Sequence, residues 1–179
     1  SSTTKNKHSI RSFRRRIEVM DLKVIENYLD NETYYILNKE INSFYFPLYY
    51  ADYVSYRNKK DGFMFNHTFY NKGITSSFFD KIVLPLIKPL DVKNLIRAKL
   101  NFYTNQTHHI KHDYHTDSEE DHKVALYSLN TNNGYTEFEN GPIVKSIANQ
   151  LCVFDGKLKH RSVTQTDKNS RINININFV

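Results

Sequence analysis

The sequence has few of the residues that staple, punctuate or span. It has one cysteine, Cys152. That rules out an internal disulfide framework and any multi-cysteine zinc site, and a reducing, cytoplasmic setting is the expectation. Glycine occurs five times, proline four times and tryptophan not at all, and neither an internal repeat nor a low-complexity linker is present. Long apolar runs are missing too. The longest, Ile82–Ile87, already contains Pro85, whereas a membrane span needs roughly 18 apolar residues or more. No charged-then-apolar leader opens the chain, so neither secretion nor a membrane partner is expected.

What is there is bulky and basic. The 179 residues include 13 Tyr and 12 Phe, enough to bury one core, so a single domain over 1–179 is expected. Asn, Lys, Ile, Tyr and Phe are abundant, the bias of an AT-rich genome. The net charge is +6, unevenly spread: residues 1–100 carry 17 basic and 10 acidic side chains, residues 101–179 carry 8 and 9. Arg11, Arg14, Arg15 and Arg16 form the one dense basic cluster. It reads as a solvated arm, with nucleic acid or another acidic partner as the alternative.

Residues 18–41 read as helical, with Leu22, Ile25 and Leu29 at three- and four-residue steps and Asp30 or Asn31 as a break. Phe44–Tyr56 is aromatic and irregular; it and His67 either rim a mouth or fill a second core. Ser76 and Ser77 can cap a helix from Phe78 to about Leu90. From Arg97 the pattern becomes short strands: Arg97–Tyr103, Val124–Asn130, Tyr135–Phe138, Ile143–Ser146, Leu151–Phe154, Arg161–Thr164 and Arg171–Val179. Turn signals such as Asn133-Gly134 and Asp155-Gly156 separate them. Residues 1–97 are therefore expected to be mainly helical support and 98–179 a strand-rich core, an α+β chain. The last strand alternates throughout. Ile172, Ile174, Ile176 and Phe178 form a face for the helices; Arg171, Asn173, Asn175 and Asn177 form a face that needs water or a polar cavity.

Five of the eight histidines lie within 108–122, so spacing has to discriminate. Only His115 is followed two positions later by a carboxylate, Asp117. On an extended segment the two share a face, with Thr116 pointing away. His160 is the only histidine downstream of His122, and Arg171 lies eleven positions beyond it. Two imidazoles and one carboxylate leave three positions of an octahedral ion open, the facial triad of non-haem Fe(II) oxygenases. A 2-oxo acid can take two of those positions and dioxygen the third. An arginine behind them can pair with the far carboxylate of a dicarboxylic cosubstrate. A set of His109, His112 and His115 is the alternative, without a downstream partner. His108, His109, His112 and His122 otherwise read as loop-surface residues, and Thr136, Phe138, Tyr127 and Cys152 as packing. The acidic segment Ser118–His122 is expected to help gate the cavity.

The ordered set KLNFYTN, HTD, LYSLN, GYTEFENG, FDGKLKHRSVTQT and RININ resembles the catalytic core of the Fe(II)/2-oxoglutarate-dependent dioxygenases, in the prolyl-4-hydroxylase-like branch. FYFPLYY and FNHTFY resemble that branch's helical support, and the whole is similar to proteins of viruses of aquatic bacteria, which would place it in a host cytoplasm. The resemblance implies a double-stranded β-helix (jelly-roll, cupin-like) with N-terminal helices packed on the major sheet. It implies Fe(II) on His115, Asp117 and His160, and 2-oxoglutarate with its C5 carboxylate on Arg171 and Tyr103. Leu126 and Ser128 would line that pocket, and Asn173 stands where the branch often has a smaller or hydroxyl residue. It further implies dioxygen as co-substrate, ascorbate as a stimulant, and hydroxylation of a C–H bond in a prolyl residue, peptide, protein or amino acid. A β-helix kept only as a binding module is the competing expectation.

Overall fold

The computed structural model describes residues 22–179 and the backbone of 16–19. Arg11, Arg14 and Arg15 lie outside the described residues, and of Arg16 only the backbone is described. Among the described residues two helices and eleven strands follow in chain order. They are β1 (Arg16–Val19), β2 (Leu22–Ile25), α1 (Asn31–Ile41), β3 (Tyr49–Ala51), β4 (Met64–Asn71), α2 (Phe79–Ile87) and β5 (Leu95–Thr104). Then come β6 (Lys123–Ser128), β7 (Tyr135–Phe138), β8 (Ile143–Lys145), β9 (Gln150–Asp155), β10 (His160–Val163) and β11 (Ser170–Phe178). The major sheet runs β1-β2-β9-β6-β11-β5-β4-β3 and the minor sheet β10-β7-β8. Every pairing is antiparallel. Two facing antiparallel sheets wound in this way make a double-stranded β-helix. Among the described residues no helix is long and apolar enough to cross a membrane.

The alternation of β11 sorts the interior. Ile172, Ile174, Ile176 and Phe178 join Leu37, Ile41, Ile82, Val83 and Leu86 in one buried cluster, so both helices pack on that face of the major sheet. Arg171, Asn173, Asn175 and Asn177 face the space between the sheets and are buried there. At its other end that space is apolar, closed by Leu22, Val124, Phe138, Val144, Cys152 and Phe154. Burial pushes the Cys152 thiol up to about 12, so it serves as a small core residue.

The N-terminal half differs from its helical reading. Residues 22–25 are a strand paired with β9, and only Asn31–Ile41 is helix. The three-residue step from Leu22 to Ile25 misleads because odd steps on a strand change faces. Leu22 packs between the sheets, while Ile25 packs against the helix-side cluster. The helix begins where Asp30 caps it, its carboxylate accepting from the Thr33 N–H at 2.9 Å and from the Thr33 hydroxyl at 2.7 Å. Residues before Ala98 also supply β3 and β4 to the far edge of the sheet, so this half is strand and helix together rather than mainly helical.

One buried amide ties the N-terminal segment to the sheet. Asn149 has φ +58°. Its Oδ1 accepts from the Leu29 N–H at 2.9 Å and the Tyr127 hydroxyl at 3.0 Å, and its Nδ2 donates to the Leu29 carbonyl at 2.8 Å. Asn149→Ala loses all three bonds and puts a Cβ without a local partner in the left-handed region. A loss of about 2–4 kcal/mol in urea unfolding is expected. A loss below about 0.5 kcal/mol would show that this tie carries no load.

Candidate active site

The convergence begins with the backbone. Residues 110–115 run beside β10 as a broken extra strand of the minor sheet, with bridges Lys111↔Val163 and His115↔His160. His115 and His160 exchange N–H···O bonds at 3.0 Å in both directions. This pairing brings together two residues 45 positions apart in sequence, and their rings sit 4.8 Å apart between centroids. Asp117 follows on a bend rather than a strand, which is why Thr116 borders the cavity too instead of turning away.

His115, Asp117 and His160 present one ligand atom each, all within 4.8 Å of one another; among the described residues they form the one such cluster of three. The His109/His112/His115 alternative is not brought together. Each ring is oriented from behind. His115 Nδ1–H donates to the Asp113 carbonyl at 3.2 Å and His160 Nδ1–H to the Leu158 carbonyl at 3.0 Å. With Nδ1 protonated, each Nε2 keeps its lone pair for an ion. Asp117 Oδ2 accepts from Asn175 Nδ2 at 2.8 Å, and its Oδ1 lies 3.3 Å from Arg97. Burial works to raise the Asp117 pKa. The positive charge that His160 and His115 carry when protonated, the Arg97 guanidinium and the Asn175 amide outweigh it and bring the pKa down to about 2, so the carboxylate is ionised at neutral pH.

These groups border a cavity of about 200 Å³ between the sheets. Its inner end holds Arg171, which is 2 % exposed. The guanidinium donates from Nε to Ser146 Oγ at 2.8 Å, from one terminal nitrogen to Ser162 Oγ at 2.6 Å and from the other to Thr136 Oγ1 at 3.2 Å. Its carbon lies 5.3 Å from the centre of the Tyr103 ring, directly across the strand pair. Among the described residues no carboxylate pairs with it. Thr136, read as packing, is therefore a partner of this arginine, and Ser146 and Ser162 were missed. Hydroxyls drawn from β7, β10 and the segment just after β8 carry no spacing signal.

The other expected residues divide. Leu126, Asn173 and Asn175 line the cavity, and Asn173 Oδ1 accepts from Asn101 Nδ2 at 3.0 Å. Ser128 is buried opposite Asn173 but outside the lining. His112 and His122 are buried, not surface residues. His112 stacks on Tyr103 and its Nδ1–H donates to the Ser162 carbonyl at 2.9 Å. His122 sits against Gly156, where a Cβ would meet its ring. The rim is not the Ser118–His122 segment, which lines none of the cavity; it is Tyr53–Tyr56. Asp61 holds that rim, accepting from the N–H groups of Val54 and Ser55, the Ser55 hydroxyl and the Asp113 N–H. His67 packs against the helix-side core rather than rimming the mouth, hydrogen-bonded to Pro47 and Ser76 among Phe46, Phe69 and Phe78.

Arg97, Lys99 and Asn101 were not singled out by sequence, although they alternate with Ala98 and Leu100 as the polar face of β5 and line the cavity. Burial, helped by Arg97 and opposed by Asp117, lowers the Lys99 ammonium to about 8. At neutral pH it remains charged.

Gly134 keeps Arg171 in place. A Cβ there would come within 2.7 Å of Arg171 Cδ and 2.9 Å of both Asn132 Oδ1 and the Val163 carbonyl. Gly134→Ala is expected to cost about 1–3 kcal/mol by overpacking. Wild-type urea stability in that variant would mean that the loop yields freely.

No protein-family model matches the chain, and no curated protein matches it in sequence. Solved structures do match its fold. A prolyl-4-hydroxylase of Pseudomonas putida is 13% identical, with 88% of this chain and 92% of that one covered and a TM-score of 0.60. A 2OG-Fe(II) oxygenase family oxidoreductase of Burkholderia pseudomallei is 8% identical, covering 88% and 84%, TM-score 0.61. A prolyl hydroxylase of Trichoplax adhaerens, in complex with a peptide fragment of the hypoxia inducible factor oxygen degradation domain, is 11% identical, covering 88% and 83%, TM-score 0.65. The chain thus has the jelly-roll fold of these oxygenases.

Proposed function

We propose that this chain is an Fe(II)- and 2-oxoglutarate-dependent oxygenase that hydroxylates a C–H bond of a prolyl residue, peptide or amino acid. The observation that carries the reading is the pairing of two unmet demands in one cavity. At one point three ligand atoms converge with no fourth protein ligand among the described residues. At the other a buried guanidinium has hydroxyl partners only.

Both demands suit the implied groups. Two neutral imidazoles and an ionised carboxylate form a donor set for a divalent ion with a vacant face. An uncompensated buried cation is costly, and a carboxylate in fork geometry relieves it. His115, Asp117 and His160 would hold the iron, and Arg171, with Tyr103 and Asn173 beside it, the C5 carboxylate. When bound, the two groups and dioxygen supply the oxidation, in which 2-oxoglutarate yields succinate and carbon dioxide and a substrate C–H becomes C–OH. The protein's own tasks are more limited. The backbone carbonyls of Asp113 and Leu158 fix the two imidazoles, Asn175 and Arg97 fix the carboxylate, and Tyr53–Tyr56 screen the mouth.

The test is anaerobic addition of Fe(II) and 2-oxoglutarate, followed by admission of oxygen. A visible absorption band under nitrogen and succinate formation in air support the reading. Absence of both overturns it and leaves a binding module on the same fold.

A further inference from the structure

The cavity has more positive charge than the proposed cofactors use. Of the side chains that line it, Arg97, Lys99 and Arg171 are cations and Asp117 is the one carboxylate. A divalent metal and a dianionic cosubstrate cancel each other, so the excess persists in the loaded site. Lys99 is the least committed of the three. It makes no hydrogen bond or ion pair among the described residues, and it stands across the strand pair from Asn175, the residue that holds the Asp117 ligand. Arg97 lies two residues along the same face.

Position separates these cations from Arg171. Tyr103, opposite Arg171, is four residues from Lys99 on one strand, roughly 13 Å. The positive charge therefore lies at two ends of the cavity, with the ion ligands nearer the Lys99 end. One end suits the far carboxylate of the cosubstrate. At the other the one carboxylate, Asp117, is already paired with Arg97, so the half-buried Lys99 ammonium is left without an anion of its own. The cavity, at about 200 Å³, is smaller than the roughly 300–1,000 Å³ of pockets for drug-sized ligands. The cosubstrate would take part of that space, and a small acid suits the remainder and supplies the missing charge; the internal residue of a peptide brings none.

Resting on the oxygenase reading, we infer that the substrate is a small carboxylic acid, such as a free amino acid, whose carboxylate is received by Lys99 with Arg97 beside it. Lys99 is then the residue that sets specificity for acids over their amides. Arg97 also touches a metal ligand, so Lys99 is the residue to change.

The experiment uses the full chain with Fe(II) and 2-oxoglutarate under nitrogen. Free L-amino acids, their carboxamides and the same residues inside short capped peptides are titrated in. Binding is read by calorimetry and by perturbation of the visible band, and succinate release is measured in air. The expected result is that at least one free acid binds and raises succinate release, while its amide and capped-peptide forms bind roughly ten- to a hundredfold more weakly. Lys99→Met should abolish that preference and keep the 2-oxoglutarate band; Lys99→Arg should restore the preference. Equal binding of acid and amide, preference for the capped peptides, or an unchanged preference in Lys99→Met would overturn the inference while the wild-type band leaves the oxygenase reading standing. Loss of the band in Lys99→Met would also overturn it, because Lys99 would then serve the cosubstrate. A wild-type protein with no band would overturn both.

Discussion

His115→Ala is expected to remove the visible band formed with Fe(II) and 2-oxoglutarate and to lower succinate formation more than about 100-fold. Changes to groups that only orient a metal ligand cost roughly 10–100-fold, so loss of a ligand itself should exceed that range. The fold should tolerate the change. The bridge between residues 115 and 160 is made by backbone atoms, which alanine keeps, so circular dichroism and the cooperative melt should stay close to wild type. His160→Ala is the companion variant. Its imidazole is buried against Phe138 and Phe154, so some stability goes with it, but the loss of the band should match. If His160→Ala kept metal binding while His115→Ala lost it, the ion would have to be held by histidines of the 108–122 segment, and the oxidation chemistry argued from an open face would fall.

Arg171→Met is expected to raise the KM for 2-oxoglutarate more than about 100-fold. Breaking a buried charge pair costs roughly 3–5 kcal/mol, and each 1.4 kcal/mol is a factor of about ten. The same variant has a second signature in the ligand-free protein. There the guanidinium is buried with hydroxyl partners only, so removing its charge relieves a desolvation cost even as three hydrogen bonds are lost. The Tm without ligand should therefore change little, whereas the rise in Tm that saturating 2-oxoglutarate gives the wild type should disappear. A large drop in the unliganded Tm with an intact 2-oxoglutarate response would make Arg171 a structural residue and remove the cosubstrate from this end of the cavity.

The features legible without coordinates share one cause. β11 alternates strictly, and strand geometry turns that alternation into an apolar face under the helices and a polar face in the cavity. His115 and Asp117 are two residues apart, and Arg171 heads the same polar face. Such local periods survive in sequence because they act over a few residues.

The misreadings share a cause as well. Leu22 and Ile25 imitate a helical step while packing on opposite faces of a strand, because a strand of four residues is too short to reveal its period. Thr136, Ser146 and Ser162 converge on one guanidinium from three separate places in the chain. Arg97 and Lys99 look like ordinary surface charges until β4, β11 and the Tyr53–Tyr56 rim enclose them. His112 and His122 sit in a hydrophilic stretch and are nevertheless buried.

Sequence alone determined the two faces of β11, and the spacing of His115 and Asp117 pointed to the donor set and the arginine of the candidate site. Pairing across the sheets decided the rest: that residues 115 and 160 lie side by side, that three hydroxyls meet Arg171, and that Lys99 lines the cavity that His115, Asp117 and His160 border. The physical reason is range. A strand's twofold period is written in neighbouring residues, whereas cross-strand partners are chosen by the burial and hydrogen bonding of segments dozens of positions apart.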